Sequence, residues 1–433
     1  MAASTSQQIP NSRQISMDYK KWKRTVPILY DMVYTQIMEY PSYSLQFLPP
    51  DMNDPGMHRA LLGPYVSDEE NYVAIIGFRA PVDSAVPELT PEELRVREYG
   101  SYTTVTHRMD TILRFPHEGR VLQIQYMPQE PTIIATKSDG DYLFIFDINI
   151  SDEDLEEAVR AEHPRSGAGG KSRPDNFIDL DPMYRLSGHN AEAGGLSWNP
   201  NRGGQILSTS EGYSVSIWDL NAASQISNIV TPVDQFSSHK ATVRDVSWHL
   251  VHDTLFASVA DDKRLHIWDT RNRTRRHPSH NIEAHIEPIM CVAFSPFSEY
   301  VFATGSTDEN TCLWDLRNLS IKLHSMENPE GPVAKIQWSP HDEKYLATSN
   351  PSRFIQLWNL ENINKKQKKE EFLVGPPEFL MNHWGHSADV CDFDWSPSIQ
   401  GAVGSIAEDN IFQIWLPSHH LYKPMESKPL PLA

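Results

Sequence analysis

The sequence predicts an all-β fold, a seven-bladed β-propeller with one N-terminal α-helix packed on its side. Three observations support this prediction. Five tryptophans recur along the chain, four of them followed by Asp or Asn, and a histidine precedes four of the five at a constant distance. Short β-rich runs separated by turn residues fill that interval. Four such strands per unit, repeated radially, form the blades of a propeller.

The repeat has a constant frame of 29 residues from the histidine to the tryptophan. The frame joins His189 to Trp218, His239 to Trp268, His285 to Trp314 and His386 to Trp415. Two degenerate copies keep it, with His117 before Phe146 and Pro329 before Trp358. Residues 42–115 then supply the seventh unit, from strand-like runs at 42–50, 59–66, 71–80 and 103–115. Because a closed ring leaves no exposed sheet edge, we expect an N-terminal strand to complete the last blade.

One unit illustrates the pattern inside the frame. In the unit that begins at His239, the predicted strands are 243–249, 255–260 and 264–270, with a tight turn at Asp261 and Asp262. The fourth strand lies in the variable segment before the next histidine, where loops can lengthen freely. These units resemble WD repeats, so the predicted fold is a seven-bladed WD-repeat β-propeller.

The resemblance to WD repeats implies a buried hydrogen-bond network in each complete blade. The histidine bonds to a turn aspartate six residues before the tryptophan, and Ser or Thr links the histidine to the indole N–H. Three copies carry the full set: His239, Asp262 and Trp268; His285, Asp308 and Trp314; and His386, Asp409 and Trp415. In the other copies Gly140, Gly212 and Ser352 replace the aspartate. Because the set repeats in the blade core, we interpret it as structural and not catalytic.

The composition limits the classes of partner. The chain of 433 residues has 38 Lys and Arg against 57 Asp and Glu, a formal net charge of −19. This balance disfavours direct duplex binding and favours basic partners, although a solvated acidic surface gives the same composition. Cys291, Cys312 and Cys391 form no CxxC pair, so neither a disulfide framework nor a zinc site is indicated. No secretory signal and no membrane span is expected.

The N-terminal helix is predicted at residues 17–40, because apolar residues there fall at helical spacing. Pro27 is expected to kink the helix or begin a new turn, and Pro41 to end it. The helix either packs passively on the propeller or forms one wall of a groove, and spacing alone favours the first. The propeller itself is predicted at 41–422, with flexible tails at 1–16 and 423–433 and mobile insertions at about 150–182 and 362–377. The lysine run of the second insertion fits a solvated loop at least as well as a nuclear-import signal.

The sequence shows no catalytic constellation. G-x-S-x-G, the P-loop, G-x-G-x-x-G and H-E-x-x-H are absent. His419 and His420 could bind a metal, but no third ligand is near them in sequence, and such a pair is more often a surface feature. We therefore expect a binding protein without metal or cofactor, and not an enzyme.

Stretches outside the repeat carry a more specific resemblance. Residues 19–50, YKKWKRTVPILYDMVYTQIMEYPSYSLQFLPP, are similar to the opening of the retinoblastoma-binding, histone-binding WD-repeat proteins, the family of the MSI-like small subunit of chromatin assembly factor. Further similar stretches lie at 126–136, 195–201, 245–262, 313–319, 375–380 and 408–415. A generic WD-repeat protein would not share these stretches, so the chain is identified as a divergent member of this family.

The resemblance implies a histone chaperone and scaffold located mainly in the nucleus. Family members are shared subunits of chromatin assembly, histone acetyltransferase, deacetylase, remodelling and Polycomb methyltransferase complexes. They bind the first helix of histone four in a side groove, and basic tails, including that of histone three, on the flat face over the central channel. No nucleic acid, membrane or small-molecule partner is implied.

By position in the family pattern, the side groove combines apolar residues with a loop before the last blade. Its residues are Ile28, Leu29, Tyr30, Met32, Glu370, Glu371, Gly375, Pro376, Pro377 and Leu421. The loop departs from the acidic pattern of the family, because Leu373 and Val374 replace expected carboxylates and four lysines lie upstream. Only Glu370 and Glu371 remain acidic there.

The flat face departs further from the family pattern. Glu192 and Glu408 are kept, whereas Arg120 and Arg244 replace acidic residues. Pro332 replaces another acidic residue, and Gly194 and Ala334 replace aromatic ones. Two charge reversals at a site for Lys and Arg cost on the order of several kcal/mol, so we expect weak or absent binding of the histone-three tail. The alternative hypothesis is a scaffold that keeps the fold but binds another partner, such as a centromere or ubiquitin-ligase component.

Overall fold

A computed structural model of the chain describes residues 12–50, 54, 56–66, 70–79, 109–149, 176–188, 194–210, 212–223, 227–272, 277–328, 331–367 and 375–422. Several sequence predictions fall outside these ranges. They are His189 and Pro329 of the repeat frame, Glu192 of the flat face, Glu370, Glu371, Leu373 and Val374 of the loop, most of 150–182, and the tails before 12 and after 422. Within the described ranges, no helix combines the length and apolar character that a membrane span requires.

The described residues form seven β-sheets, which are the seven blades of the predicted propeller. Blade 1 contains β2 (Ser42–Phe47), β3 (Met57–Pro64), β4 (Tyr72–Arg79) and β5 (Asp110–Pro116). Blade 2 contains β6 (Val121–Met127), β7 (Glu130–Ser138), β8 (Tyr142–Asp147) and β9 (Tyr184–Ser187), with β13 (Ile229–Val230) added in parallel outside β9. Blade 3 contains β10 (Leu196–Trp198), β11 (Gln205–Ser210), β12 (Ser214–Asp219) and β14 (Asp234–Ser237).

The remaining blades repeat the antiparallel meander. Blade 4 contains β15 (Val243–Trp248), β16 (Leu255–Ala260), β17 (Arg264–Asp269) and β18 (His280–Glu283). Blade 5 contains β19 (Ile289–Phe294), β20 (Val301–Ser306), β21 (Asn310–Asp315) and β22 (His324–Glu327). Blade 6 contains β23 (Lys335–Trp338), β24 (Tyr345–Ser349), β25 (Ile355–Asn359) and β26 (Phe379–His383). Blade 7 contains β27 (Val390–Trp395), β28 (Val403–Ala407), β29 (Ile411–Pro417) and β1 (Tyr30–Ile37), and 3₁₀ turns follow β12 and β25 at Leu220–Ala222 and Leu360–Asn362.

The repeated tryptophans lie at the end of the third strand of their blades, with their rings buried between neighbouring sheets. Trp218, Trp268, Trp314, Trp358 and Trp415 are all buried. Trp268, for example, packs in one apolar cluster with Phe236 of blade 3 and Phe256 of blade 4. The constant frame therefore reflects a fixed distance along a packed three-stranded meander, from the entering loop to this buried ring.

The N-terminal helix differs from its predicted bounds. Helix α1 spans Ser12–Leu29, and the chain then turns into β1, which pairs antiparallel with β29. The prediction of a helix at 17–40 was therefore wrong at both ends. Pro27 removes a helical N–H near the end of α1, and a full ladder of hydrogen bonds along the open edge of β29 then favours a strand. In β1, Val33 packs on the blade 7 core while Met32 and Tyr34 pack towards blade 1.

Strand β1 is the N-terminal strand that we expected to complete the last blade, and blade 7 is joined to blade 1 at the channel as well. The inner strand of each blade is a sheet edge, and side chains of one inner strand cap backbone N–H groups of the next. Ser197 Oγ accepts from Trp248 N at 3.1 Å, and Asp245 Oδ2 accepts from Val292 N at 2.9 Å. At the seam, Asp392 and Asp394 of β27 accept from Leu45 N at 2.9 Å and Phe47 N at 2.7 Å. The same device thus closes the ring around a central channel of about 550 Å³.

Both predicted mobile insertions are packed at their described ends. In the first, Phe177 is buried against Tyr72, and Asn176 O accepts from Arg114 N of β5 at 2.8 Å. In the second, Gln367 Nε2 donates to Gly375 O at 3.1 Å and draws the two ends together. Burial of the Phe177 ring and pairing of Asn176 with the edge of β5 hold this end of the first insertion against blade 1.

Candidate partner-binding surfaces

Helix α1 lies against blades 6 and 7 through one apolar face. Trp22 is buried, and Tyr19, Val26 and Leu29 pack on the same apolar cluster, which lies between these two blades. The Tyr19 and Trp22 rings lie 5.4 Å apart between centroids. At the N-terminal half of the helix, Asp18 Oδ2 lies 3.5 Å from Arg353 Nη2 in an ion pair that is largely buried. The helix is therefore fixed to the ring by both apolar and charged contacts.

A chain of buried hydrogen bonds, here called the helix relay, joins α1 to His383 of blade 6 and Gln413 of blade 7. Trp22 Nε1 donates to Tyr30 Oη at 3.1 Å, and Tyr30 Oη lies 2.9 Å from His383 Nδ1. His383 Nε2 lies 2.9 Å from Gln413 Oε1, and Gln413 Nε2 donates to Gly385 O at 2.9 Å. Since the tyrosine accepts from the indole, its own proton points to Nδ1, and the imidazole proton is on Nε2.

The helix relay depends on neutral, buried groups. Burial lowers the pKa of His383 well below its ordinary value, with the nearby His386 acting in the same direction. Burial likewise raises the pKa of the Tyr30 hydroxyl. The His383 ring stacks on Trp415 with centroids 4.1 Å apart, and Gly385 leaves room for the Gln413 amide, which a Cβ at that position would overlap. The relay therefore couples the helix to the repeat tryptophan of blade 7.

The C-terminal segment lies along the junction between α1 and β1. Ser418 N donates to Leu29 O at 2.8 Å, and His419 N donates to Asp31 Oδ2 at 2.8 Å. Leu421 and Leu29 both pack on the apolar cluster between blades 6 and 7, and so does Leu380 of β26. The C-terminal segment is therefore fixed to the end of α1 and the start of β1.

The loop between β25 and β26 of blade 6 is the loop that the sequence assigned to the side groove. The ends of the loop enclose a pocket of about 340 Å³. Its lining residues are Asn362, Lys365, Lys366, Gln367, Gly375, Pro376, Pro377 and Phe379. Gly375 has φ 149°, a conformation that favours glycine, and Phe379 N donates to Pro376 O at 3.0 Å. Lys365 and Lys366 are exposed at this pocket, so its described part is basic.

The predicted groove residues differ in how accessible they are. Ile28 is 68 % exposed, whereas Leu29 and Leu421 are partly buried. Tyr30 is buried in the helix relay, and Met32 packs towards blade 1, so these two residues support the surface from inside. Their helical spacing in the sequence predicted a helix, whereas they lie on β1, where alternate residues face opposite sides.

His383 and Gln413, the partners of Tyr30, were not predicted as site residues. Gln413 precedes the repeat tryptophan by two positions, where the other blades place Ser216, His266, Cys312 and Gln356. A buried glutamine at a position where other blades also place polar or thiol side chains carries no sequence signal of its own. The tyrosine that bonds to His383 lies 353 residues away in the chain, so only the fold identifies the pair.

The flat face contains both predicted arginines in ion pairs. Arg244 donates to both carboxylate oxygens of Asp261, through Nε at 2.8 Å and Nη2 at 2.7 Å. Arg120 lies over the Tyr43 and Tyr65 rings at 5.7 and 5.4 Å, with its Nε 3.9 Å from Asp139 Oδ2. Glu408 is exposed on the neighbouring turn of blade 7. Acidic residues on the adjacent turns therefore compensate both charge reversals.

The blade networks connect each repeat histidine to its tryptophan through a hydroxyl. In blade 5, His285 Nδ1 lies 3.0 Å from Asp308 Oδ2 and Nε2 lies 2.8 Å from Thr304 Oγ1, which accepts from Trp314 Nε1 at 2.9 Å. Blade 4 has the same order through Ser258, with distances of 3.0 Å from His239 to Asp262 and 2.8 Å from Trp268 to Ser258. In blade 7, His386 lies 3.4 Å from Asp409, and Trp415 donates to Ser405 at 3.2 Å.

The hydroxyl groups of these networks lie beside a His–Asp pair, as the hydroxyl of a catalytic serine does, but they share no other feature with it. Ser258, Thr304 and Ser405 are fully buried, and each already accepts an indole N–H. Burial alone would raise the pKa of Asp308, but the hydrogen bonds from His285 and from backbone N–H groups lower it overall. Burial alone would lower the pKa of His285, but Asp308 raises it overall. The network is therefore an internal charge-assisted brace.

His419 and His420 have their rings 3.9 Å apart, and His419 bonds to Asp31. Across the described ranges, no three His, Cys, Asp or Glu side chains lie close enough together to hold a metal ion. The contacts of His419 instead fix the C-terminal segment to β1.

Comparison with known families identifies two kinds of segment. Residues 17–81 match the family described as the histone-binding protein RBBP4 or the corresponding subunit of the CAF1 complex, and this range contains most of α1, β1 and the first three strands of blade 1. Residues 230–269 and 276–315 match the WD domain, G-beta repeat. These two WD-repeat ranges contain the first three strands of blades 4 and 5, which are two of the three blades with the full His–Asp–Trp network.

Proposed function

This chain belongs to the family of histone-binding WD-repeat proteins, and from that premise we propose that it is a non-catalytic scaffold that binds the first helix of histone four in the side groove. The groove lies between α1, the loop end at Gly375–Pro377 and the C-terminal segment at Leu421. Such a scaffold serves complexes that assemble, acetylate, deacetylate or methylate chromatin, and it acts in the nucleus.

The observation that carries this proposal is the attachment of α1 to blades 6 and 7. The Asp18–Arg353 pair holds the N-terminal half of α1, whereas the helix relay and the bond from Ser418 N to Leu29 O hold its C-terminal end. Ile28 stays exposed at that end. A rigid apolar wall of this kind suits an amphipathic helix, because little conformational entropy is lost when the helix binds.

A second candidate function, a scaffold with changed partner preference, is favoured by one observation. The pocket at the loop presents Lys365 and Lys366, and a basic histone helix is repelled by them. Glu370 and Glu371, which we propose as the acidic side of the loop, lie outside the described residues. A partner helix with carboxylates on the loop side would fit the lysines better than a histone helix does.

For the flat face we propose weak binding of the histone-three tail. Asp261 is fully engaged by Arg244, so its carboxylate is a poor acceptor for a basic tail. The guanidinium of Arg120 lies where a family member would present a carboxylate, held by two tyrosine rings. Calorimetric titration of a histone-three tail peptide should therefore give little heat, and ordinary tight binding contradicts this part of the proposal.

Affinity capture from nuclear extract tests the proposed function. We expect the wild-type chain to recover histones three and four together with assembly or acetyltransferase subunits. An Ile28→Asp variant places a charge on the exposed wall and should lose histone four, whereas Ile286→Asp, at a residue 75 % exposed far from the groove, should keep it. Recovery of other partners without histones favours the second candidate, and equal recovery by both variants removes the groove assignment.

A further inference from the structure

An exposed apolar patch lies on the turns that join the first and second strands of blades 4 and 5. It is defined by Leu250, Val251, Phe297 and Tyr300, which are 37, 57, 42 and 37 % exposed, and is here called the turn patch. None of these residues belongs to the groove, to the flat face or to a blade network. Four large apolar side chains on two neighbouring turns exceed what scattered surface residues explain.

The two turns are held together by a direct hydrogen bond. His249 Nε2 lies 2.8 Å from Glu299 O, which places the residue before Leu250 against the residue before Tyr300. Burial lowers the pKa of His249, which keeps the imidazole neutral near pH 7. On the other side, Asn201 Nδ2 of blade 3 donates to Leu250 O at 3.1 Å. The patch therefore has a fixed backbone under it.

The patch is particular to these two blades. The corresponding turns of blades 3 and 6 carry Asn201 and Arg202, and His341 and Glu343. In the corresponding turn of blade 7, Ile399 packs inwards with the blade 1 cluster. Among the described turns of this type, only those of blades 4 and 5 expose large apolar side chains. The repeat fold alone therefore does not require the patch.

Arg317 borders the patch beside Tyr300, and Arg271 takes the equivalent place in blade 4, where Thr270 N donates to Thr254 O. Arg271 and Arg317 each follow the repeat Trp-Asp pair by two residues, and each holds its aspartate through Nε and Nη2 at 2.6–3.2 Å. The arginine side chains are 72 and 65 % exposed, whereas the side chains of Asp269 and Asp315 are 19 and 14 % exposed. The Arg317 guanidinium also lies 4.4 Å from the Tyr300 ring centroid.

The orientation of these pairs determines what the border can bind. Each aspartate engages Nε and Nη2, so the N–H groups of Nη1 are left for an outside acceptor. The aspartates also hold the guanidinium planes in position, which reduces the entropy that a partner must remove. An arginine border around an apolar centre is the usual composition of a protein interface.

We propose that the turn patch binds an acidic amphipathic segment of a partner protein, with two or three apolar side chains on the patch and carboxylates on Arg271 and Arg317. The formal charge of −19 excludes broad attraction of acidic chains, so binding must depend on this local arrangement. The surface is separate from the side groove, and a scaffold can therefore occupy both at once.

A peptide library tests the proposal without knowledge of the natural partner. Random twelve-residue peptides displayed on phage are selected on the full-length wild-type chain, and the enriched peptides are resynthesised and titrated. We expect the enriched sequences to combine Asp or Glu with aromatic or aliphatic residues. A Val251→Asp/Phe297→Asp variant and an Arg271→Gln/Arg317→Gln variant should each weaken their binding at least about tenfold.

Two matched controls separate the patch from general surface effects. Ile286→Asp changes an exposed apolar residue outside the patch, and Arg79→Gln changes an exposed arginine of blade 1 that is paired with Asp54 through Nη1 and Nη2. Both should leave the titrations unchanged, and circular dichroism should show all variants folded. Basic or charge-free enriched peptides, binding that survives both patch variants, nucleic-acid binding lost in the arginine variant, or self-association through the patch in sedimentation each overturn the proposal.

Discussion

Two buried relays in this propeller use the same kinds of group and serve different purposes. The blade 5 network runs from Asp308 through His285 and Thr304 to Trp314, and all four residues lie within 30 positions of one another. The helix relay runs from Trp22 through Tyr30 and His383 to Gln413, and it joins the two ends of the chain. The first occurs in three blades with charged partners, whereas the second is built from neutral groups. The repeated network braces the ring, and the helix relay fixes the element that we propose to bind a partner.

Breaking the blade network should have the largest effect on stability. Asp308→Ala leaves the His285 imidazole and two backbone N–H groups without their acceptor, and we expect a loss of about 3 kcal/mol in the free energy of unfolding. Urea unfolding measures it, and Asp308→Asn, which keeps one acceptor, serves as the control with a smaller loss. A loss below about 1 kcal/mol shows that the network is not a brace.

Breaking the helix relay should affect stability less and binding more. Tyr30→Phe removes the hydroxyl between Trp22 and His383, at a cost of about 1–2 kcal/mol, and loosens one wall of the groove. We expect faster amide exchange in α1 and roughly tenfold weaker binding of a histone-four helix peptide. Tyr300→Phe, at an exposed tyrosine of blade 5, is the control and should change neither. Binding of the same peptide should also be measured for Asp308→Ala under conditions in which this variant is folded. If Asp308→Ala weakens that binding as much as Tyr30→Phe does, the distinction between the two relays is wrong.

The two relays should respond to acid in opposite directions. The pKa of His285 is raised in the folded chain, so its contribution is fully present below about pH 6.5 and is lost as pH rises through the folded value. The pKa of His383 is lowered by burial, so its contribution is present above about pH 6.5 and is lost as pH falls. From pH 7.5 to 5.5 we expect α1 to lose about 1 kcal/mol of protection in amide exchange, corrected for intrinsic rates, while β20 and β21 do not.

A variant isolates the histidine responsible. In His383→Gln no group titrates in the helix relay, so the pH dependence of α1 protection should disappear while that of blade 5 remains. Loss of protection in α1 at low pH that persists in this variant contradicts the role assigned to His383.

The smallest effect concerns charge at the groove. Lys365→Glu/Lys366→Glu replaces two exposed positive charges at the pocket and should strengthen binding of a basic histone-four helix by about three- to tenfold, more at low salt. Lys240→Glu, at an exposed lysine before β15 of blade 4, is the control for added negative charge outside the groove and should leave binding unchanged. If the double variant binds more weakly, the partner helix carries carboxylates on this side, and the second candidate function is favoured.

The sequence was most informative where the signal is local. The 29-residue frame locates the blade histidines and tryptophans, and the turn aspartates lie 23 residues after their histidines in all three complete copies. Local periodicity also placed the strands of blade 1, which lacks the frame. A pattern that repeats within one packed meander is visible without knowledge of the fold.

The site was harder to predict because its contacts are long-range. Apolar residues of 30–37 fit a helix by spacing, but the open edge of β29 makes the segment a strand, and this moves Tyr30 and Met32 from the surface into the packing. In the sequence, Arg244 appears only as a reversal of charge. In the structure, it forms a bidentate pair with Asp261, which lies on the turn after β16. Neither the pairing of β1 with β29 nor the contact of Arg244 with Asp261 could be known before the strands were paired.

Titration of a peptide of the first helix of histone four into the full chain by calorimetry is the most direct test of the central claim. The wild-type protein should bind one peptide with a dissociation constant below about 10 μM, because a rigid apolar wall and a loop pocket enclose the helix. Ile28→Asp should weaken this binding at least tenfold, and Ile286→Asp should leave it unchanged. No measurable binding to the wild-type chain, or binding that Ile28→Asp does not alter, contradicts the claim that this groove holds a histone helix.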